Sequence, residues 1–116
     1  MNYEDRVTKT YIENALANAG PKIVTGTYTG DGSATRSFSL GFTPKALYVC
    51  LESGGVGSSY TYCGGLALAG HPVFANQEFV LVEITSGGFT VHNKLDNPYC
   101  YYINANTWVY HYVAIG

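Results

Sequence analysis

The sequence predicts an all-β fold: an antiparallel β-sandwich of about seven strands preceded by one short N-terminal helix. Three observations carry that reading. Short runs rich in β-branched and aromatic residues recur between clusters of Gly, Pro, Ser and Asp, which is the pattern of strands joined by turns. Charged residues make up only 12% of the 116 residues, while Gly (14) and Tyr (11) are abundant, which suits a β-domain with a polar, uncharged surface. The closing stretch TWVYHYVAIG alternates Trp108, Tyr110 and Tyr112 with Val109, His111 and Val113. Both of its faces are largely apolar, so it reads as a central strand covered on both sides.

Residues 2–19 read as the one helix. Asn2 can cap it, and Glu4 and Asp5 fall in its first turn, where the helix dipole favours acids. Val7, Tyr11, Ala15 and Ala19 form an apolar stripe with Ile12 and Leu16 beside it, and Gly20-Pro21 ends the run. Such a stripe needs a partner, either the β-domain itself or the same helix in sister chains. Residues 1–20 are therefore read as a stem that oligomerises through Val7, Tyr11, Ile12, Ala15 and Leu16, and residues 21–116 as a single β-domain.

After Pro21 the pattern changes to strands. KIVTGTYT (22–29) and TRSFSL (35–40) flank the turn GDGSA and are expected to form a hairpin. GFTPK is a corner, because Pro44 lacks an amide donor. ALYVCLE (46–52) reads as another core strand. The Gly-rich segment 53–77 has only short strand-like pieces, at SYTYC and GLALA, and its length is unusual for a plain connection. EFVLVEIT (78–85) and FTVHN (89–93), joined by a tight turn, are the clearest hairpin. LDNPYCYYINAN (95–106) reads as an aromatic loop with extended pieces.

The formal net charge is −2 and the six Lys and Arg residues are scattered, so non-specific nucleic-acid binding lacks an electrostatic basis. No apolar run is long enough to span a bilayer, so membrane insertion is not expected. The start MNYEDRVTKT lacks the basic and apolar regions of a signal peptide, which places synthesis in the cytoplasm. Cys50, Cys63 and Cys100 are odd in number and not closely paired, so they read as free, mostly buried thiols.

The segments GTYTGDGS, SLGFTPKALYV, ITSGGFTV and YHYVAIG, in this order and spacing, resemble the small C-terminal β-domains of phage and prophage tail-fibre (receptor-binding) proteins. The preceding VTKTYIENAL resembles the helical segment that leads into such domains. The resemblance covers most of residues 4–52 and 78–116 and rests on corners and turns rather than catalytic motifs. It implies a homotrimer within a virion, made in the host cytoplasm, attached to other phage tail proteins and bound to a host-surface receptor.

Catalytic readings find little support. His71, His92 and His111 match no zinc spacing, although in a trimer three His111 rings could meet near the axis. Cys63 with His71 or His92 has no local nucleophile motif. Glu52, Glu78, Glu83 and Asp96 are not brought together by any sequence feature, as paired glycosidase carboxylates would be. Gly54, Gly55 and Gly57 precede no Gly-Lys-Ser/Thr. The expectation is a non-enzyme with neither cofactor nor metal.

The aromatic loops are the functional signal. Tyr60 and Tyr62 in one, and Tyr99, Tyr101 and Tyr102 with Asn97 and Asn104 in the other, offer ring faces for sugar C–H surfaces and amides for hydroxyls. The expected function is a fibre tip that binds a host-surface glycan through these seven residues. The alternative is a structural tail or baseplate component whose tyrosines pack between subunits.

Overall fold

The computed structural model describes residues 22–116. The expected helix, with Val7, Tyr11, Ile12, Ala15 and Leu16, lies outside the described residues. Within them the fold is all-β. Twelve strands run in chain order: β1 (Ile23–Thr29), β2 (Thr35–Ser39), β3 (Ala46–Leu51), β4 (Gly57–Ser58), β5 (Thr61–Tyr62), β6 (Gly65–Leu68), β7 (Val73–Ala75), β8 (Phe79–Thr85), β9 (Gly88–His92), β10 (Lys94–Asp96), β11 (Tyr99–Tyr101) and β12 (Val109–Ile115). They form three four-stranded sheets, ordered β1-β12-β3-β6, β2-β9-β8-β7 and β10-β11-β5-β4. The extra strands beyond the expected seven come from the Gly-rich segment and the late aromatic loop, where pieces of two to four residues pair.

β12 is central in the first sheet, antiparallel to β1 on one side and β3 on the other. The β8–β9 hairpin also forms, with Thr85 opposite Gly88 across a tight turn. The expected 22–29/35–40 hairpin does not. β1 pairs with β12 and β2 with β9, so the GDGSA segment carries the chain from one sheet to another. Its backbone bonds to a distant segment instead: Gly30 N–H donates to Trp108 C=O and Gly32 N–H to Asn104 C=O, both at 2.8 Å. Gly30 is required there, because a Cβ would fall on the Ala105 carbonyl.

Aromatic rings join the two larger sheets. Tyr110 stacks on Tyr28 at 4.9 Å, Tyr28 meets Phe38 at 4.5 Å, Phe38 stacks on Phe89 at 4.7 Å, and Phe89 meets Tyr112 at 5.3 Å. The circuit runs through β12, β1, β2 and β9 and back, around buried Leu47, Val49, Val82 and Val91. Each ring pair adds about 1 kcal/mol beyond its area burial. Arg36 closes the edge of this core, its guanidinium 4.7 Å from the Phe38 ring centre and its Nη1 donating to Thr29 C=O at 2.8 Å.

The expectation that β12 is covered on both sides is corrected among the described residues. Tyr110 and Ala114 on one face are buried, whereas His111 and Ile115 on the other are exposed. The cross-strand register extends this open face into two rows: Ile23, Ile115, Ala46 and Leu68, then Thr25, Val113, Tyr48 and Leu66. Among the large apolar residues of these rows, Ile23 (62%) and Leu66 (59%) are the most exposed. The corresponding face of the second sheet is polar, with Ser37 and Thr85 both hydrogen-bonded to Thr90, and Thr35 to His92.

Candidate functional site

The two aromatic loops meet in the small third sheet. β5 and β11 pair in parallel, with Thr61 opposite Cys100 and Tyr62 opposite Tyr101. This is the one parallel pair among the described strands, so the sheets are not antiparallel throughout. Cys100 N–H donates to Tyr60 C=O at 2.7 Å, and Tyr102 N–H to Tyr62 C=O at 2.8 Å. Alternate residues of paired strands share a face, so in-register pairing aligns the tyrosines as a ladder. Ring centres lie 5.7 Å apart for Tyr60 and Tyr99, 5.5 Å for Tyr62 and Tyr101, and 6.3 Å for Tyr99 and Tyr101.

The ladder grades from core to solvent. Tyr101 is buried and stacks at 4.6 Å on Phe79, which anchors the inner end. Tyr62 and Tyr99 are half-buried, and Tyr60 is 57% exposed. Lys94 Nζ lies 5.7 Å from the Phe79 ring centre and 3.8 Å from Asp96 Oδ2, adding an exposed ion pair beside the aromatics. Asn97 is exposed in the turn between β10 and β11. The open rings and hydroxyls suit adsorption of a ring-shaped, hydroxyl-rich ligand.

Two of the expected ligand residues are corrected to structural roles. Tyr101 has almost no accessible surface, because it is the rung pressed against Phe79. Asn104 is fully buried and its amide is committed. Its Nδ2 donates to Asp31 Oδ1 at 2.6 Å and to Ser33 O and Oγ at 3.1 and 3.0 Å. Its Oδ1 accepts from Asp31 N–H at 3.3 Å and Arg36 Nη1 at 3.2 Å. The Ser33 hydroxyl and amide, with Asn104, hold the Asp31 carboxyl down at about 2. Tyr102 leaves the ladder and packs edge-on against Trp108 at 5.4 Å.

The segment behind the ladder hangs from the first sheet by two buried phenols. Tyr28 Oη donates to Ile103 C=O at 2.7 Å. Tyr110 Oη donates to Tyr102 C=O at 2.6 Å and accepts from Ala105 N–H at 3.0 Å. Burial pushes both phenols well above the ordinary tyrosine range.

Beside this segment is a groove of about 400 Å³ lined by Leu51, Glu52, Ser53, Thr107, Trp108 and Val109. Sequence reasoning took Trp108 as a strand residue and Glu52 as the end of the 46–52 strand and a possible glycosidase acid. Trp108 in fact precedes β12 and is 39% exposed. A lone Trp after Asn106-Thr107, at a loop-to-strand junction, was the available signal.

Comparison with protein-family models, with curated proteins and with solved structures finds no match. The chemistry is therefore read from the geometry. Burial, with a smaller contribution from Cys100, raises the Cys63 thiol to about 11, so it is protonated at neutral pH and is no nucleophile. Glu83 lies 3.5 Å from His92 and Asp96 beside Lys94, so these carboxylates have separate partners. Among the described residues no three His, Cys, Asp or Glu side chains converge as metal ligands.

Proposed function

We propose that this chain is a phage tail-fibre tip that binds a host-surface glycan on the tyrosine ladder, and that it works as a homotrimer. The observation that carries the reading is the separation of two ends. Residues 1–21 join the domain at Lys22, whose backbone pairs with Gly116, and the exposed apolar rows begin beside it at Ile23. The ladder and Trp108 gather at the other end of the same strands, about 20 Å away along β1. An apolar band at the end where residues 1–21 join the domain supports self-association there. Exposed aromatics at the other support ligand contact. The aromatic circuit between the two larger sheets supports a sandwich.

Burial of Tyr101 and Asn104 favours structural use of part of the aromatic set, as a purely structural tail component would have it. Ligand contact therefore falls to Tyr60, Tyr62 and Tyr99, with Asn97 at the rim. Binding would be avid, weak single sites being multiplied by copy number. The test is a glycan array drawn from the host surface, probed with the oligomer defined by light scattering. Loss of Tyr60 and Tyr99 rings in a Tyr60→Ala, Tyr99→Ala variant removes two aromatic contacts of about 1 kcal/mol each, so binding weakens by roughly tenfold or more. A folded oligomer that binds no host glycan would sink the proposal.

A further inference from the structure

We propose that the Trp108 groove is a second binding site, built for one neutral sugar ring. It shares only the ligand class of the function proposed above and uses none of the ladder tyrosines.

The groove lies where the end of β3 meets the start of β12, with Glu52 N–H donating to Val109 C=O at 3.0 Å. Trp108 is fixed on both sides of its peptide. Its N–H donates to Ala105 C=O at 3.0 Å, and its C=O accepts from Gly30 N–H at 2.8 Å. Tyr102 meets the indole at 85° and holds the ring from one edge. Thr107, just before it, has φ of +73°, a conformation that β-branched residues adopt only under constraint. Strain of this kind gathers at ligand sites, where surrounding structure sustains it. A rigid, partly exposed indole loses little freedom on binding.

The chemistry around the indole selects the ligand. Leu51 and Val109 extend the apolar floor, and Ser53 and Thr107 supply hydroxyls. No side chain among the described residues forms an ion pair with Glu52. A carboxylate accepts two hydrogen bonds side by side, which matches neighbouring hydroxyls of a pyranose. The opposite C–H face of such a ring covers an indole. No Lys, Arg or His lines the groove, so an anionic sugar meets only the Glu52 charge. The volume lies at the small end of the range for ligand pockets, enough to seat a single ring.

The chain has a single tryptophan, so its fluorescence reports on this groove alone. Methyl glycosides of glucose, galactose and N-acetylglucosamine would be titrated into the full chain, with choline chloride and N-acetylneuraminic acid as cationic and anionic probes. The expected result is a saturable shift with at least one neutral glycoside, in the millimolar range for a single ring. Glu52→Gln, at an exposed position that leaves the fold intact by circular dichroism, weakens it about tenfold. No response to any neutral glycoside overturns the assignment, as does a response unchanged by Glu52→Gln or a preference for choline or the anionic sugar. Loss of the signal in the Tyr60→Ala, Tyr99→Ala variant would also overturn it. Failure of the ladder on the array, with the titration intact, would sink the ladder reading alone.

Discussion

Replacing Tyr110 with Phe removes one oxygen from the centre of the fold. That oxygen bonds two backbone groups, the Tyr102 carbonyl at 2.6 Å and the Ala105 amide at 3.0 Å. The ring itself stays in its stack with Tyr28, so packing is preserved and only polar satisfaction is lost. An unpaired buried donor or acceptor costs about 1–3 kcal/mol. Both partners here are partly shielded, which gives about 2–3 kcal/mol for the pair. For a domain of this size that lowers Tm by roughly 10–15 °C. Tyr28→Phe strips a single bond, to the Ile103 carbonyl, and costs about 1–2 kcal/mol. Both hydroxyls hold the same segment, so the double variant should depart from additivity by about 0.5–1 kcal/mol. Urea unfolding followed by circular dichroism and Trp108 fluorescence measures all three. An unchanged midpoint for Tyr110→Phe, or a larger loss for Tyr28→Phe, would refute the claim that phenol hydroxyls suspend this segment.

Asn104→Ala removes the amide that ties Asp31, Ser33 and Arg36 to the core. Its partners sit on an exposed turn and can recover water, so the loss in chemical denaturation is about 2–3 kcal/mol, and a neutral result would show that the hub is dispensable. Alkaline pH weakens the fold through Tyr28 and Tyr110. The unfolded chain ionises near pH 10, whereas burial keeps both native phenols protonated beyond it. Their contribution is complete below about pH 10 and is lost as pH rises further, so unfolding free energy measured across that range falls, and falls less in the Tyr28→Phe, Tyr110→Phe variant. Leu66→Lys with Leu68→Lys charges the open apolar rows without touching the core face of β6. Light scattering should then give a smaller particle than the parent at equal concentration, with the β-fold retained by circular dichroism. An unchanged mass removes that face from the self-association surface.

The parts of the fold that were legible in the sequence are those decided locally. The 78–93 hairpin has alternating apolar residues on either side of a short glycine turn, and no distant residue alters that choice. The terminal run is apolar on both faces and takes a central position in the first sheet, although only one of those faces is buried. GDGSA, by contrast, has the composition of a hairpin turn but does not act as one. Asn104, distant in sequence, binds Asp31 and Ser33 and fixes the connection in a different shape. The ladder was half legible. Tyr60, Tyr62, Tyr99 and Tyr101 could be recognised as aromatic loop residues, but a two-residue strand such as β5 carries too little pattern to reveal its pairing with β11. Which tyrosine is buried follows from that pairing and from Phe79, so Tyr60 and Tyr101 look alike in sequence and differ most in exposure.

The open face of the first sheet bears on how the two ends of the domain differ. Ile23, Leu66, Leu68, Tyr48 and Ile115 together expose an apolar patch of roughly 400 Å², a size that ordinary monomers tolerate. Size alone therefore does not call for a partner. Position is more telling. The next row along the same strands is Thr27, His111 and Cys50, so the apolar character is confined to the end where residues 1–21 join. The second sheet leaves Thr35, Ser37 and Ser39 of β2 exposed, so this chain also builds a polar sheet surface. Covering the band removes about 10 kcal/mol of unfavourable hydration at most, comparable to the whole stability of a small domain. A contact of that size at this end would leave the ladder and the Trp108 groove open at the other, so the self-association and ligand binding proposed above would not compete for the same surface.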